Sequence, residues 1–284
     1  MKFSLKTAIK LLLPKYQKLI LEYKVDMKPR YGHGLVKHPE LLHIIENVSY
    51  TDLLNEILSN KEFFFSLNIL KNEPDENRPA WNNGYLPGLD IMALYTIIGH
   101  FKPEHYIEIG SGNSTKVARK SIVDNHLSTQ ILSVDPFPRA NIDHLATEII
   151  RKPLENMKDI GMIIETLNAN DILFIDNSHR CLPNSDATVC FLEILPLLKP
   201  GVIVEFHDIY LPWDYPQFMC DRFYSEQYML AAFLLANPQK YKPLFPAWHI
   251  SQTPELTGML SEIWDHPNLK TVEKHGGSFW IQIN

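Results

Sequence analysis

The sequence has few of the features typical of secreted, membrane-spanning or zinc-binding proteins. It contains only three scattered cysteines, whose spacing matches neither a disulfide framework nor a zinc motif. No apolar run approaches the ~20 residues that cross a bilayer. Lys6, Lys10 and Pro14 interrupt the apolar N-terminal stretch, so it is not typical of a signal peptide. These absences predict a cytoplasmic protein with reduced cysteines and no transmembrane segment.

The charge balance lacks the positive excess that a nucleic-acid partner requires. The net charge is -6, and we therefore expect no nucleic-acid binding. Residues 1–30 differ, because they carry a basic excess on two predicted amphipathic helices within 3–23, hinged at Pro14. One interpretation is contact with a membrane surface or partner. The favoured one is an extension that packs on its own domain or on a second subunit of a homo-oligomer.

The 284 residues, of which 45% are hydrophobic, suffice for one large domain with an extension. Helical patterns occupy 39–47, 50–60 and 88–101, with a polar loop over 72–87. The sequence shows no internal repeat. We divide it into a helical N-terminal extension, residues 1–80, and a domain, residues 81–284.

From residue 104 onward, strand and helix patterns alternate. Strands are predicted at 105–109, 131–134, 148–151, 172–175, 202–206, 242–246 and near 279–283, with helices up to 124 and at 141–147, 155–168, 185–198 and 219–235. This alternation predicts an α/β fold with a Rossmann-like, mostly parallel seven-stranded sheet and helices on both faces.

Acidic and imidazole side chains stand where these strands end. They are Glu108, Asp135, Asp176, His207 and Asp208. Because parallel sheets bind ligands at the carboxyl ends of their strands, we expect these side chains to share one site.

The first strand runs into a glycine turn, Gly110-Ser111-Gly112, and then into a helix. Glycine permits positive φ and close ligand approach, and the helix start offers unpaired N–H groups. Thr115 occupies the place of the third glycine in Gly-x-Gly-x-x-Gly, which argues against a dinucleotide. Asp135, at the end of the next strand, can accept hydrogen bonds from ribose hydroxyls.

These stretches together carry a resemblance to a known family. Residues 106–115, 133–136 and 171–180 resemble the class I S-adenosylmethionine-dependent methyltransferases, most closely a small-molecule O-methyltransferase-like group with Asp-x-x-His after strand 4. Residues 199–202, 207–216, 222–228 and the terminal Gly-Gly-Ser-Phe-Trp are similar to the same group. The resemblance covers about residues 80–284 and does not specify the acceptor.

The resemblance implies a cofactor site for S-adenosyl-L-methionine. Its residues would be Glu108, Gly110, Ser111, Gly112, Asn113, Ser114, Asp135 and Asp176. The glycine loop and Glu108 would hold the methionine part and Asp135 the ribose, and residues 154–155 would meet the adenine.

The resemblance also places the reaction at the ends of strands 4 and 5. His179 would be the general base, with Asp176 as a second catalytic residue. In metal-dependent relatives a divalent ion lies at the ends of strands 4 and 5. The matching positions in this sequence are Asp176, His207 and Asp208, and the ion there would be Mg, Mn or Zn. Magnesium prefers oxygen ligands, whereas His207 offers nitrogen, so a metal-free site with His179 and His207 as bases stays an open alternative.

We therefore predict an S-adenosylmethionine-dependent O-methyltransferase that acts on a small polar acceptor such as a sugar or glycan precursor. Aromatic residues available to stack on the acceptor are Trp81, Tyr85, Tyr210, Trp213 and Tyr215. Two other functions remain as alternatives: a non-catalytic binding or scaffold protein of the same fold, and a metal-dependent hydroxylase or hydrolase that uses the Asp/His cluster.

Overall fold

A computed structural model describes residues 13, 22–31, 37–69, 75, 77–138 and 140–284. At its centre seven strands form one sheet: β1 His105–Ile109, β2 Gln130–Val134, β3 Glu148–Ile150, β4 Ile172–Ile175, β5 Ile203–Phe206, β6 Tyr241–Pro246 and β7 Phe279–Ile283. They lie in the order β3-β2-β1-β4-β5-β7-β6. Strand β7 runs antiparallel to β5 and β6, and the other neighbours among β1–β5 are parallel. The predicted mostly parallel, seven-stranded α/β fold is confirmed.

Helices flank this sheet. In chain order they are α1 Pro39–Glu46, α2 Thr51–Ser59, α3 Lys61–Ser66, α4 Gly88–Phe101, α5 Asn113–Asp124, α6 Gly161–Thr166, α7 Asp186–Val189, α8 Gln217–Cys220, α9 Glu226–Ala236, α10 Ala247–Gln252, α11 Pro254–Gly258 and α12 Ser261–Trp264. The N-terminal helices are docked on the rest, since α1 contacts α9 and β6, and α2 contacts α4.

The parallel register aligns the strand ends that position the site. The backbone ladder continues one residue past the strands, with the N–H of Gly110 bonded to β2, that of Asp176 to β1 and that of His207 to β4. Asp135 donates its N–H to β3 in the same way. The first residues after β2, β1, β4 and β5 therefore form one row at the carboxyl edge of the sheet, as the sequence predicted.

The helix predicted at 141–147 is wrong. The chain forms a turn there, in which the N–H of Leu145 bonds to the carbonyl of Ile142. The Thr147 N–H bonds to the carbonyl of Ile131, and its hydroxyl accepts from the Ile131 N–H. Pairing with β2 has thus begun by residue 147, which leaves no length for a helix.

Three other predicted helices are shorter or irregular. Residues 155–168 contain a 3₁₀ turn at Leu154–Asn156 and then α6, which begins where the Asp159 carboxylate accepts the Met162 N–H. Residues 185–198 pass from α7 into a π turn and a 3₁₀ turn, because Pro196 has no N–H for the helical ladder. Residues 219–235 divide into α8 and α9, with Phe223 between them at a left-handed φ of 61°.

The two helices predicted within 3–23 fall almost entirely outside the described residues. The division at residue 80, the homo-oligomer and the cytoplasmic location stay predictions. No helix in the described ranges combines the length and apolar character needed to cross a bilayer.

Candidate functional site

The glycine turn after β1 lies directly against the end of β4. Gly110 has a φ of +84°, and a Cβ built on it would lie 1.9 Å from the carbonyl oxygen of Asp176. Only glycine fits this approach. A Cβ on Gly112 would meet nothing within 4 Å, so the backbone there faces open space.

Glu108 lies behind this turn, fully buried. Its carboxyl oxygens accept hydrogen bonds from the hydroxyls of Thr115, at 2.5 Å, and Ser114, at 3.1 Å. Burial raises its pKa to about 8, although the two hydroxyls oppose that shift. Because the Thr115 hydroxyl also accepts the Gly112 N–H, Glu108 organises the start of α5 from within the core.

Asp135 fixes the turn from the side of β2. Its Oδ2 accepts the backbone N–H of Ser111, at 2.8 Å, and the Ser111 hydroxyl, at 3.2 Å. Its Oδ1 accepts the N–H of Phe137 at 2.7 Å. The carboxylate is therefore held in a single orientation at the edge of a cavity.

This first cavity has a volume of about 350 Å³, within the usual range for small-molecule sites. Its lining includes all of the predicted cofactor residues except Glu108: Gly110, Ser111, Gly112, Asn113, Ser114, Asp135 and Asp176. Leu154 and Glu155, where the sequence placed the adenine, line it as well.

A second cavity of about 710 Å³ adjoins the first. The two share Tyr85 and Asp176 in their linings. The second is walled by aromatic side chains and by ionisable ones, among them Tyr210, Phe218, Tyr224, Trp248, His179, His207, Asp208, Arg222, Glu273 and His275. One carboxylate, that of Asp176, thus faces both spaces.

His179 sits among three carboxylates at the edge of the second cavity. Its Nδ1 lies 2.6 Å from Glu226 Oε1, and its Nε2 lies 3.2 Å from Asp176 and 3.5 Å from Asp208. Burial alone would lower its pKa, but the Glu226 charge and hydrogen bonds to Asp176 and Glu226 raise the pKa well above its usual value. Both ring nitrogens are engaged by carboxylates, which favour the protonated form of the ring.

His207 is buried and lines the second cavity, and it is oriented by Glu205 on β5 and by Ser278, which precedes β7. Its Nδ1 lies 3.2 Å from Glu205 Oε1 and 3.3 Å from the hydroxyl of Ser278. Burial raises the pKa of Glu205 to about 7, against the opposing effect of His207. The Nε2 of His207 has no hydrogen-bond partner within the described structure.

The predicted metal ligands Asp176, His207 and Asp208 all line the second cavity. However, no group of three or more His, Cys, Asp or Glu side chains in the described part of the chain is arranged to hold a metal ion. The Nε2 of His179 lies near both aspartates. A metal ion at Asp176, His207 and Asp208 therefore stays a prediction.

The centre of the chain matches a known family. Residues 107–209, from β1 to just after β5, match the sequence model of a family described as a methyltransferase domain. The matched stretch covers less than half of the chain and contains the glycine turn and the strand ends described above.

Three individual proteins also align with the chain. An uncharacterized protein of Archaeoglobus fulgidus is 30% identical over 99 residues, which cover 32% of this chain and 43% of the relative; the match thus spans less than half of that protein. The SAH-bound Podospora anserina methyltransferase PaMTH1 aligns over 81% of this chain and 88% of its own, with 14% identity and a TM-score of 0.42. A putative methyltransferase from Thermobifida fusca aligns over 82% and 93%, with 12% identity and a TM-score of 0.35.

The aromatic residues predicted for acceptor contact separate into two groups. Tyr85 and Tyr210 line the second cavity. Trp81, Trp213 and Tyr215 are buried, and the Trp81 indole donates to a backbone carbonyl in the core. These three are therefore packing residues.

Sequence reasoning missed several residues at the second cavity. Trp248, Glu273 and His275 come from the segment between β6 and β7, which showed no strand-end pattern. Glu205 was hidden inside a strand, although a charged residue within an otherwise apolar run was the available signal.

Proposed function

We propose that this protein is an S-adenosylmethionine-dependent O-methyltransferase that acts on a small polar acceptor such as a sugar or glycan precursor. The observation that carries the proposal is the meeting of two cavities at Asp176 and Tyr85. A methyl donor in the first cavity and an acceptor in the second would face each other at that junction.

The first cavity offers a suitable environment for the donor, which supplies an electrophilic methyl group on a sulfonium. The N-terminus of α5, reached through Gly112, favours the carboxylate of the methionine part. Asp135 would accept hydrogen bonds from the ribose, and Leu154 and Glu155 would contact the adenine. Glu108 would support the turn from behind.

The second cavity offers carboxylates to the acceptor hydroxyl. As the oxygen bonds to the methyl carbon, the carbon–sulfur bond breaks with its electrons on sulfur, and the hydroxyl proton passes to the carboxylate of Asp176. Since both nitrogens of His179 are engaged, we propose that it orients Asp176 and Asp208 and is not itself the base.

Calorimetry with S-adenosylmethionine and S-adenosylhomocysteine tests the cofactor half of the proposal. We expect both to bind, and Asp135→Ala to remove most of the affinity while the exposed-site control Lys242→Ala does not. If neither compound binds the folded wild-type protein, the proposal is rejected. A screen of hydroxylated acceptors, read as formation of S-adenosylhomocysteine, then tests transfer.

A further inference from the structure

We propose that the sulfonium of S-adenosylmethionine binds against the ring of Tyr85, and that this ring raises the affinity for the charged donor relative to its neutral product. The inference rests on the proposed function in one respect, since it takes the first cavity as the donor site. It goes further by naming a residue that distinguishes S-adenosylmethionine from S-adenosylhomocysteine, two molecules that differ by one methyl group and one charge.

Tyr85 lies where the two cavities meet. Among the described residues, the two linings share only Tyr85 and Asp176. The sequence neighbours of Tyr85 separate, since Leu86 lines the first cavity whereas Gly84 and Pro87 line the second. The chain therefore passes from one cavity to the other at Tyr85. A methyl group that moves from the first cavity to the second crosses this junction, which places the sulfur beside the ring.

The loop that carries Tyr85 is held by the buried side-chain amide of Asn83. The Oδ1 of Asn83 accepts the N–H groups of Tyr85, at 2.9 Å, and Leu86, at 2.8 Å. Its Nδ2 donates to the carbonyls of Ala80, Trp81 and Leu86. Because one amide bonds to both sides of the loop, the backbone of Tyr85 is fixed relative to the junction. Asn83 is therefore a positioning residue for the ring.

The charge of the donor explains why an aromatic ring suits this position. S-adenosylmethionine carries a positive charge on sulfur, and S-adenosylhomocysteine has lost that charge together with the methyl group. The face of a tyrosine or phenylalanine ring attracts a cation, and the attraction is weaker where solvent reaches the ring. Tyr85 is 47% exposed, so we expect a moderate effect. The carboxylate of Asp176 would add to the attraction, and substitutions at Tyr85 isolate the contribution of the ring.

The ring acts on binding and not on the chemical step. As the methyl group leaves sulfur, the positive charge there decreases, so the ring stabilises the bound donor more than the transition state. After transfer, the neutral product no longer gains the cation–π contact. Tyr85 therefore favours replacement of the product by a new donor molecule, which makes it a specificity residue for the cofactor.

The ratio of the two calorimetric affinities, for S-adenosylmethionine and for S-adenosylhomocysteine, tests the inference. Tyr85→Leu keeps an apolar side chain but removes the ring, and is expected to lower the relative affinity for S-adenosylmethionine about threefold to tenfold. Tyr85→Phe is expected to leave the ratio unchanged. Phe137→Leu is the matched control, because Phe137 is 85% exposed and lines the first cavity but not the second. Any change in the control is expected to affect both affinities equally.

Asn83→Ala removes the amide that positions the loop, and in folded protein it is expected to lower the same ratio. An unchanged ratio there would overturn the positioning role. An unchanged ratio in Tyr85→Leu, an equal loss in Tyr85→Phe, or an equal shift in Phe137→Leu would each overturn the role of the ring. If neither compound binds the wild-type protein, the proposed function fails and this inference with it, whereas binding of both with an unchanged ratio overturns this inference alone.

Discussion

Gly110 and the carbonyl of Asp176 are packed so closely that no side chain fits between them. A Cβ on Gly110 would lie 1.9 Å from that oxygen, and its φ of +84° is itself unfavourable for other residues. The contact fixes the turn that lines the first cavity to the residue that lines both cavities.

Gly110→Ala is therefore expected to destabilise the protein by about 2–4 kcal/mol, from backbone strain and overpacking together. Gly112→Ala is the matched control, since its Cβ meets nothing within 4 Å. We expect its effect to stay within about 0.5 kcal/mol. Urea unfolding measures both, and equal losses in the two variants would contradict the steric explanation.

Glu108 is expected to make stability fall with rising pH. Its folded pKa, about 8, lies above its ordinary value of 4.5, so between those values the folded state binds more protons than the unfolded state. The free energy of unfolding then decreases as pH rises, by at most about 1.4 kcal/mol per pH unit. Glu108→Gln should remove this slope. Urea unfolding of both proteins at pH values from about 5 to about 9 gives the comparison.

Glu226 is expected to be needed for stability but not for cofactor binding. Glu226→Ala removes the buried partner of His179, which typically costs about 3 kcal/mol or more. Glu226→Gln retains a hydrogen-bond acceptor and should lose less. Since Glu226 does not line the first cavity, calorimetric affinity for S-adenosylhomocysteine should match the wild type in either folded variant. A selective loss of that affinity would contradict this assignment.

Asp214 is expected to hold the described N-terminal segment against the loop between β5 and α8. Its carboxylate accepts the N–H of Tyr31, at 2.6 Å, and contacts the Nε2 of His38 at 3.1 Å. Asp214→Ala should therefore accelerate amide hydrogen exchange at Tyr31. Exchange in β1 serves as the internal control. Unchanged exchange at Tyr31 would show that other contacts suffice.

Strand ends were predictable because their residues follow apolar runs that have few alternatives to a buried parallel sheet. Asp135, Asp176 and His207 were placed correctly for this reason, whereas Glu108 lies within β1 and is buried behind the glycine turn. Helix boundaries were less predictable, since Pro196 and the left-handed Phe223 changed helical patterns that looked continuous. The failure at 141–147 arose from pairing of Thr147 with β2, a contact that periodicity does not report.

By itself the sequence determined the sheet, its direction and the edge where polar side chains gather, because alternation and strand-end position are local properties. Only the tertiary structure decided what each polar group does. It buried Glu108 behind the turn, engaged both nitrogens of His179, and left the Nε2 of His207 without a hydrogen-bond partner within the described residues. These roles depend on partners distant in sequence, such as Glu226 and Ser278, whose approach is set by packing.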